Sequence, residues 1–92
     1  MFKNNTDIIK FNEFKYFTNV NSYSFEGCTN LKEITLPIAK TSIYEYAFKG
    51  CTSLQSFDFQ NILSVGKHAF SSCNNTQFSN LENIISFGEN SF

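Results

Sequence analysis

Phenylalanine returns at one phase along this chain: Phe2, Phe25, Phe48, Phe70 and Phe92 are spaced 23, 23, 22 and 22 residues apart. The surrounding residues keep step. Val20, Ile43, Val65 and Phe87 fall five residues before the last four anchors, and Ser24, Ala47, Ala69 and Ser91 immediately precede them. Gly27-Cys28 matches Gly50-Cys51, with Ser72-Cys73 one period on. A unit of 22 or 23 residues cannot bury its own apolar face, so the copies must lie on one another and share a continuous core. A stack of small coils, a solenoid, is the expected architecture.

Each unit carries two apolar stretches. Leu31, Ile34 and Leu36 correspond to Leu54, Phe57 and Phe59, and the last two positions of each set alternate as in a strand. A second short strand is expected at Ile62-Leu63-Ser64-Val65 and at Ile84-Ile85-Ser86-Phe87. Gly66 and Gly88 follow it, with Asn21 in the first copy, and these residue types predict a sharp turn at positive φ; Tyr44 is the exception. Glu45 to Gly50 reads as a single helical or 3₁₀ turn closed by glycine. The expected fold is mainly β, with short parallel strands and about four repeats in one domain over residues 1–92, roughly 2–24, 25–47, 48–69 and 70–92.

Two units depart from the pattern. The first has Glu13 where Leu36 and Phe59 stand, Phe14 and Phe17 nearby, and no Gly-Cys pair, which reads as an N-terminal cap. The fourth has Thr76 at the Leu31 position, Ser79 at the Ile34 position and Phe78 at an outward position. A strand shifted by one residue, or poorly formed, is expected there.

Ala47-Phe48-Lys49-Gly50-Cys51-Thr52-Ser53-Leu54, with Leu31-Lys32-Glu33-Ile34-Thr35-Leu36-Pro37 and Thr41-Ser42-Ile43, resembles the leucine-rich repeats of the BspA-like type. The resemblance covers nearly the whole chain. It implies a curved solenoid used for binding, often on cell surfaces or outside the cell, with a protein or glycan ligand whose identity the family does not fix. It also implies that outward residues of the first strand line the concave side: Lys10, Asn12, Glu33, Thr35, Ser56, Asp58, Phe78 and Asn80. An outward Phe78 among polar neighbours would favour contact, and an inward one would remove that argument. Four strands of about four residues offer on the order of a few hundred Å², short of the roughly 800 Å² a partner usually contributes. Binding is therefore expected to be weak singly and strengthened by many copies.

Composition narrows the function classes. Of 92 residues, 41% are hydrophobic and 17% aromatic, which suits a folded chain, and only 16% are charged. With seven Lys, no Arg and a net charge of -1, the chain offers no positive field for nucleic acid. No apolar run approaches the 18 or so residues of a membrane span, so no membrane insertion is expected. The first seven residues hold no uninterrupted apolar core, hence no recognisable secretory signal. Localisation stays open from the residues alone.

The chemistry-bearing residues point away from an enzyme. Cys28, Cys51 and Cys73 share one phase and read as a row of small buried thiols; three is an odd number for disulfides, and a linear row offers no tetrahedron for zinc. His68, the single histidine, shares its phase with Tyr23, Tyr46 and Asn90, which suggests a permissive exposed position. Asp58 belongs to a different stretch, so a Ser-His-Asp set would need distant faces to meet. No catalytic residue, metal ligand or cofactor site is expected. Asn4-Asn5-Thr6 and Asn74-Asn75-Thr76 fit the glycosylation acceptor pattern. The Phe92 end carries no polar residue after the anchor, so it is expected to be covered by another chain, by further sequence or by self-association through Phe92.

Overall fold

The computed structural model describes residues 2–11, 19–34 and 40–92. Among these residues eight short strands follow in order: β1 Lys10–Phe11, β2 Asn19–Val20, β3 Glu33–Ile34, β4 Thr41–Ile43, β5 Ser56–Asp58, β6 Ile62–Val65, β7 Gln77–Ser79 and β8 Ser86–Phe87. All pairing is parallel and between successive coils, as a stack of equivalent units requires. The second stretch of each unit forms one sheet in the order β2-β4-β6-β8. The first stretch pairs β1 with β3 and β5 with β7, and the Gln55 N–H donates to the Lys32 carbonyl at 3.1 Å between the second and third coils.

The anchor phenylalanines form a ladder through the stack. Phe2, Phe25, Phe48, Phe70 and Phe92 lie ring on ring at 5.3, 5.2, 5.1 and 5.7 Å between successive centroids, with interplanar angles of 25°, 2°, 9° and 8°. Parallel strands recur every ~4.8 Å, so residues at one phase meet face to face and are offset only by the ring slip. Phe57 meets Phe48 and Phe70 edge-on at 5.4 and 5.1 Å, which joins the first strand to the ladder. Ala47 and Ala69 are buried beside it, and Ser24 and Ser91 keep the same place small in the other coils.

The segment from Glu45 to Gly50 corrects the expectation of a helical or 3₁₀ turn. Its amides split by parity. Ala47, Lys49 and Cys51 donate within the coil to the carbonyls of Tyr44, Tyr46 and Phe48, while Tyr46, Phe48 and Gly50 donate to Lys67, Ala69 and Ser71 of the next coil. Half the donors are thus committed to the neighbouring coil, and helix cannot propagate. The chain bends instead through left-handed residues at Tyr46 (φ 59°) and Gly50 (φ 78°), each at the third position of a hydrogen-bonded turn, the type II signature. Among the described residues the one 3₁₀ segment is Leu81–Asn83.

Gly66 and Gly88 also differ from expectation. Neither has positive φ; the left-handed residues two positions later are His68 and Asn90, in the same column as Tyr23 and Tyr46. What these glycines supply is room. A Cβ on Gly66 would lie 2.5 Å from the backbone N of Glu45, and one on Gly88 would lie 2.4 Å from that of Lys67. Two coils touch backbone to backbone there.

The fourth coil carries the one-residue shift. β7 pairs Phe78 with Phe57, not Ser79 with Phe57 as a strict period would have it, because the strand starts one residue early after Thr76. The Thr76 hydroxyl donates to the Leu54 carbonyl at 2.8 Å, taking up a backbone acceptor. Between the second and third coils the sheet carries a register shift between Thr41 and Ser42, which pair with Ile62 and Ser64 and leave Leu63 between them. Of the first unit's cap-like residues, Glu13, Phe14 and Phe17 lie outside the described residues.

Candidate functional site

Outward positions of the first strand are set by alternation. Phe11 and Phe57 are buried and Ile34 is half-buried; Lys10, Glu33 and Ser56, one residue before each of them, are exposed. Lys10 and Glu33 are register partners, and their side chains form an ion pair at 3.5 Å. Both groups are more than half exposed, so the pair organises the surface more than it stabilises the fold. Asp58 is half-buried; its carboxylate accepts from the Gln60 N–H at 2.9 Å and from the Asn80 side-chain amide at 2.8 Å. Asn12 and Thr35 lie outside the described residues.

Phe78 requires correction. Because β7 starts early, its ring turns inward, half-buried, against Phe70 at 5.2 Å, Phe59 at 5.7 Å and Phe92 at 4.9 Å. Phe78 therefore does not stand outward among the polar residues of this face. Asn80 is exposed but no longer in the strand; it takes a left-handed conformation (φ 58°) just after β7. Lys10, Glu33, Ser56 and Asp58 remain together as a short polar strip, joined in the fourth coil by the exposed Gln77 and Ser79, which only the shift brings into line.

The thiols have a defined job. Cys28, Cys51 and Cys73 are free and buried, and each sulfur donates at 3.1 Å to the carbonyl of an anchor one coil earlier: Phe2, Phe25 and Phe48. The Phe25 and Phe48 carbonyls also accept the N–H of Cys28 and Cys51, so two acceptor sites are filled on each. A small apolar side chain with one donor fits that place. Burial pushes the Cys28 and Cys51 thiols above their ordinary 9.0, Cys51 helped by its two cysteine neighbours, and pushes Cys73 up to about 11.

Two results should follow. At mild alkaline pH the folded Cys73 should be alkylated about a hundredfold more slowly than in denaturant, since it holds correspondingly less thiolate. A folded value of about 11 against 9.0 means the unfolded chain loses the proton first. Stability should then be complete below about pH 9 and fall as pH rises toward 11, read as a declining urea midpoint. Equal labelling of native and denatured protein would refute the first expectation.

A second column runs along the outside of the turns. Tyr23, Tyr46, His68 and Asn90 all have positive φ, from 54° to 65°. The first three stack, Tyr23 on Tyr46 at 5.0 Å and Tyr46 on His68 at 5.2 Å, with Lys3 over Tyr23 and Lys49 over Tyr46. The repeat period alone groups these residues, but their left-handed backbone was not foreseen, since tyrosine is an unfavourable residue for it. The Ser71 hydroxyl donates to the Asn90 carbonyl at 2.9 Å, so in its 3.0 Å contact with Nδ1 of His68 the imidazole must be the donor. That places His68 in a structural relay, and its hydrogen-bonded side chain is Ser71, not Asp58. Among the described residues no cluster of three His, Cys, Asp or Glu side chains could hold a metal ion. No helix among them is long and apolar enough to cross a membrane.

No curated protein and no solved structure matches this chain. The family model for the BspA type leucine rich repeat region (6 copies) does match, over residues 1–92. Parallel strands recurring once per coil, one phenylalanine ladder and a cysteine row in step with it give that match its physical content, and this chain belongs to the BspA-type leucine-rich repeat family.

Proposed function

We propose that this chain is a non-enzymatic interaction or adhesion module, binding a protein or glycan through the polar strip of Lys10, Glu33, Ser56 and Asp58, in a surface or extracellular setting. Family membership supports a repeat protein used for interaction. The observation that carries the reading is the strip itself: successive coils hold exposed polar side chains in register on rigid parallel strands. The strip is small, so single-copy affinity is weak and display in many copies supplies the rest.

Screening of glycans and extracellular-matrix proteins against the monomer and a multimerised form tests this. The variants Lys10→Ala, Glu33→Ala and Ser56→Arg should lower binding of any hit by tenfold or more in combination, with stability changed by only about 0.5 kcal/mol each. Absence of binding in both forms would remove the proposal.

A second reading, assembly through the ends of the solenoid, is favoured by a specific observation. Ile85, Phe87 and Phe92 are 81%, 51% and 47% exposed on the last coil.

A further inference from the structure

We infer that the outward face of the sheet β2-β4-β6-β8, around Ser42, Tyr44 and Ser64, binds an uncharged oligosaccharide. This face is distinct from the polar strip, which lies on the first strand of each coil. Alternation sets it. Val20, Ile43 and Val65 are buried, whereas Ser42 and Ser64, one position earlier, are half-buried and Asn19 is exposed. The strand pairing puts them in one row, Asn19 beside Ser42 and Ser42 beside Ser64, and Ser86 continues it. Three strand spacings make the row about 14 Å long, which suits a chain of sugar rings over a single one.

The fold leaves the hydroxyls of this row unused. Among the described residues the side chains of Ser42, Ser64 and Ser86 make no hydrogen bond, and that of Tyr44 has neither a hydrogen bond nor a ring contact. Amides along the sheet are committed between coils, Tyr44 to Val20, Gly66 to Ile43 and Gly88 to Val65, so side chains are left to meet a ligand. A hydroxyl both donates and accepts, which matches it to a partner that is itself rich in hydroxyls.

Tyr44 supplies the second element. It is 43% exposed and lies two residues beyond Ser42, on the same side of the strand. The next two members of its column are Gly66 and Gly88, and neither can take a side chain, because a Cβ would run into the backbone of the preceding coil. Bare backbone is therefore kept open beside an aromatic ring that meets no other ring. The C–H face of a sugar packs on such a ring, whose π-electrons attract the weakly positive hydrogens.

Charge selects among ligands. Residues 19–21, 41–44, 62–66 and 84–88 hold no charged side chain, although the chain carries seven Lys and eight Asp or Glu. A sulfated or carboxylated glycan would find no cation in this row, and a neutral saccharide needs none.

Titration of the isotope-labelled chain with maltohexaose, cellohexaose, mannohexaose and chitohexaose, followed by amide chemical shifts, tests the inference, with a heparin hexasaccharide as the charged control. At least one neutral probe should move the amides of Tyr44, Ser64 and Gly66 and leave those of Lys10 and Glu33 in place. Tyr44→Ala should weaken that binding about tenfold and Ser64→Ala about fivefold, with the circular dichroism spectrum unchanged because both side chains face outward. Unmoved spectra with all four neutral probes, tighter binding of the heparin fragment, or undiminished binding by Tyr44→Ala would each overturn the inference. Shifts confined to Lys10, Glu33, Ser56 and Asp58 would overturn it while supporting the polar strip, so the two readings fail separately.

Discussion

Phe48→Ala should destabilise this protein by about 3–5 kcal/mol, a large share of the roughly 5–14 kcal/mol a chain of this length has in total. Phe48 is fully buried, lies between the rings of Phe25 and Phe70 and meets the edge of Phe57. Removing it leaves a gap in the middle of the ladder that neither neighbour can fill, because each is held at its own coil's phase by backbone bonds: Phe25 to Ala47 and Phe70 to Ser91. Phe92→Ala provides the comparison, since its ring is nearly half exposed and has only one coil beneath it. Its cost should be about 1 kcal/mol, the order expected for a half-exposed ring. Urea unfolding of both variants measures the difference, and equal losses would show that the ladder does not hold the stack.

Gly66→Ala should cost about 3 kcal/mol, the upper part of the range for overpacking, although only a methyl group is added. The new Cβ would lie 2.5 Å from the N of Glu45 and 2.6 Å from the carbonyl carbon of Tyr44, both backbone atoms that move only if the coils separate. Gly50→Ala tests the other use of glycine. There the nearest atoms are 3.7 Å away, so space is ample and the cost is that of a left-handed alanine, about 1–2 kcal/mol. Midpoints in urea should therefore fall in the order wild type, G50A, G66A. The reverse order would mean that conformational preference outweighs coil contact at this turn.

This pair of glycines shows where sequence reading reached its limit. The anchor spacing alone dictates stacking, since nothing else sets five phenylalanines of one phase ring on ring, and the solenoid and its parallel strands were legible from it. Glycine at 66 and 88 was legible as a special position but not for its reason: close approach and positive φ call for the same residue type, and only the neighbouring coil's backbone distinguishes them. Tyr46 and His68 show the converse, because residues that resist left-handed geometry adopt it when their amides are claimed by the next coil. Phe78 turned inward because β7 begins one residue early, a shift suspected from Ser79 but with no residue to say which way it would resolve. The polar strip was harder still. Outward positions carry no periodic signature, so Lys10, Glu33, Ser56 and Asp58 could be placed by alternation but not set apart chemically from any other solvated face.

The parity of the turn amides has an electrostatic consequence. At the turns, N–H groups of one coil point to the following coil, whereas in the long sheet Tyr44, Gly66 and Gly88 donate to the preceding one, at Val20, Ile43 and Val65. These two sets of peptide dipoles point opposite ways along the axis, unlike the aligned dipoles of an α-helix. The opposed sets offset one another in part, so each added coil contributes less axial polarity than an aligned row of the same amides would.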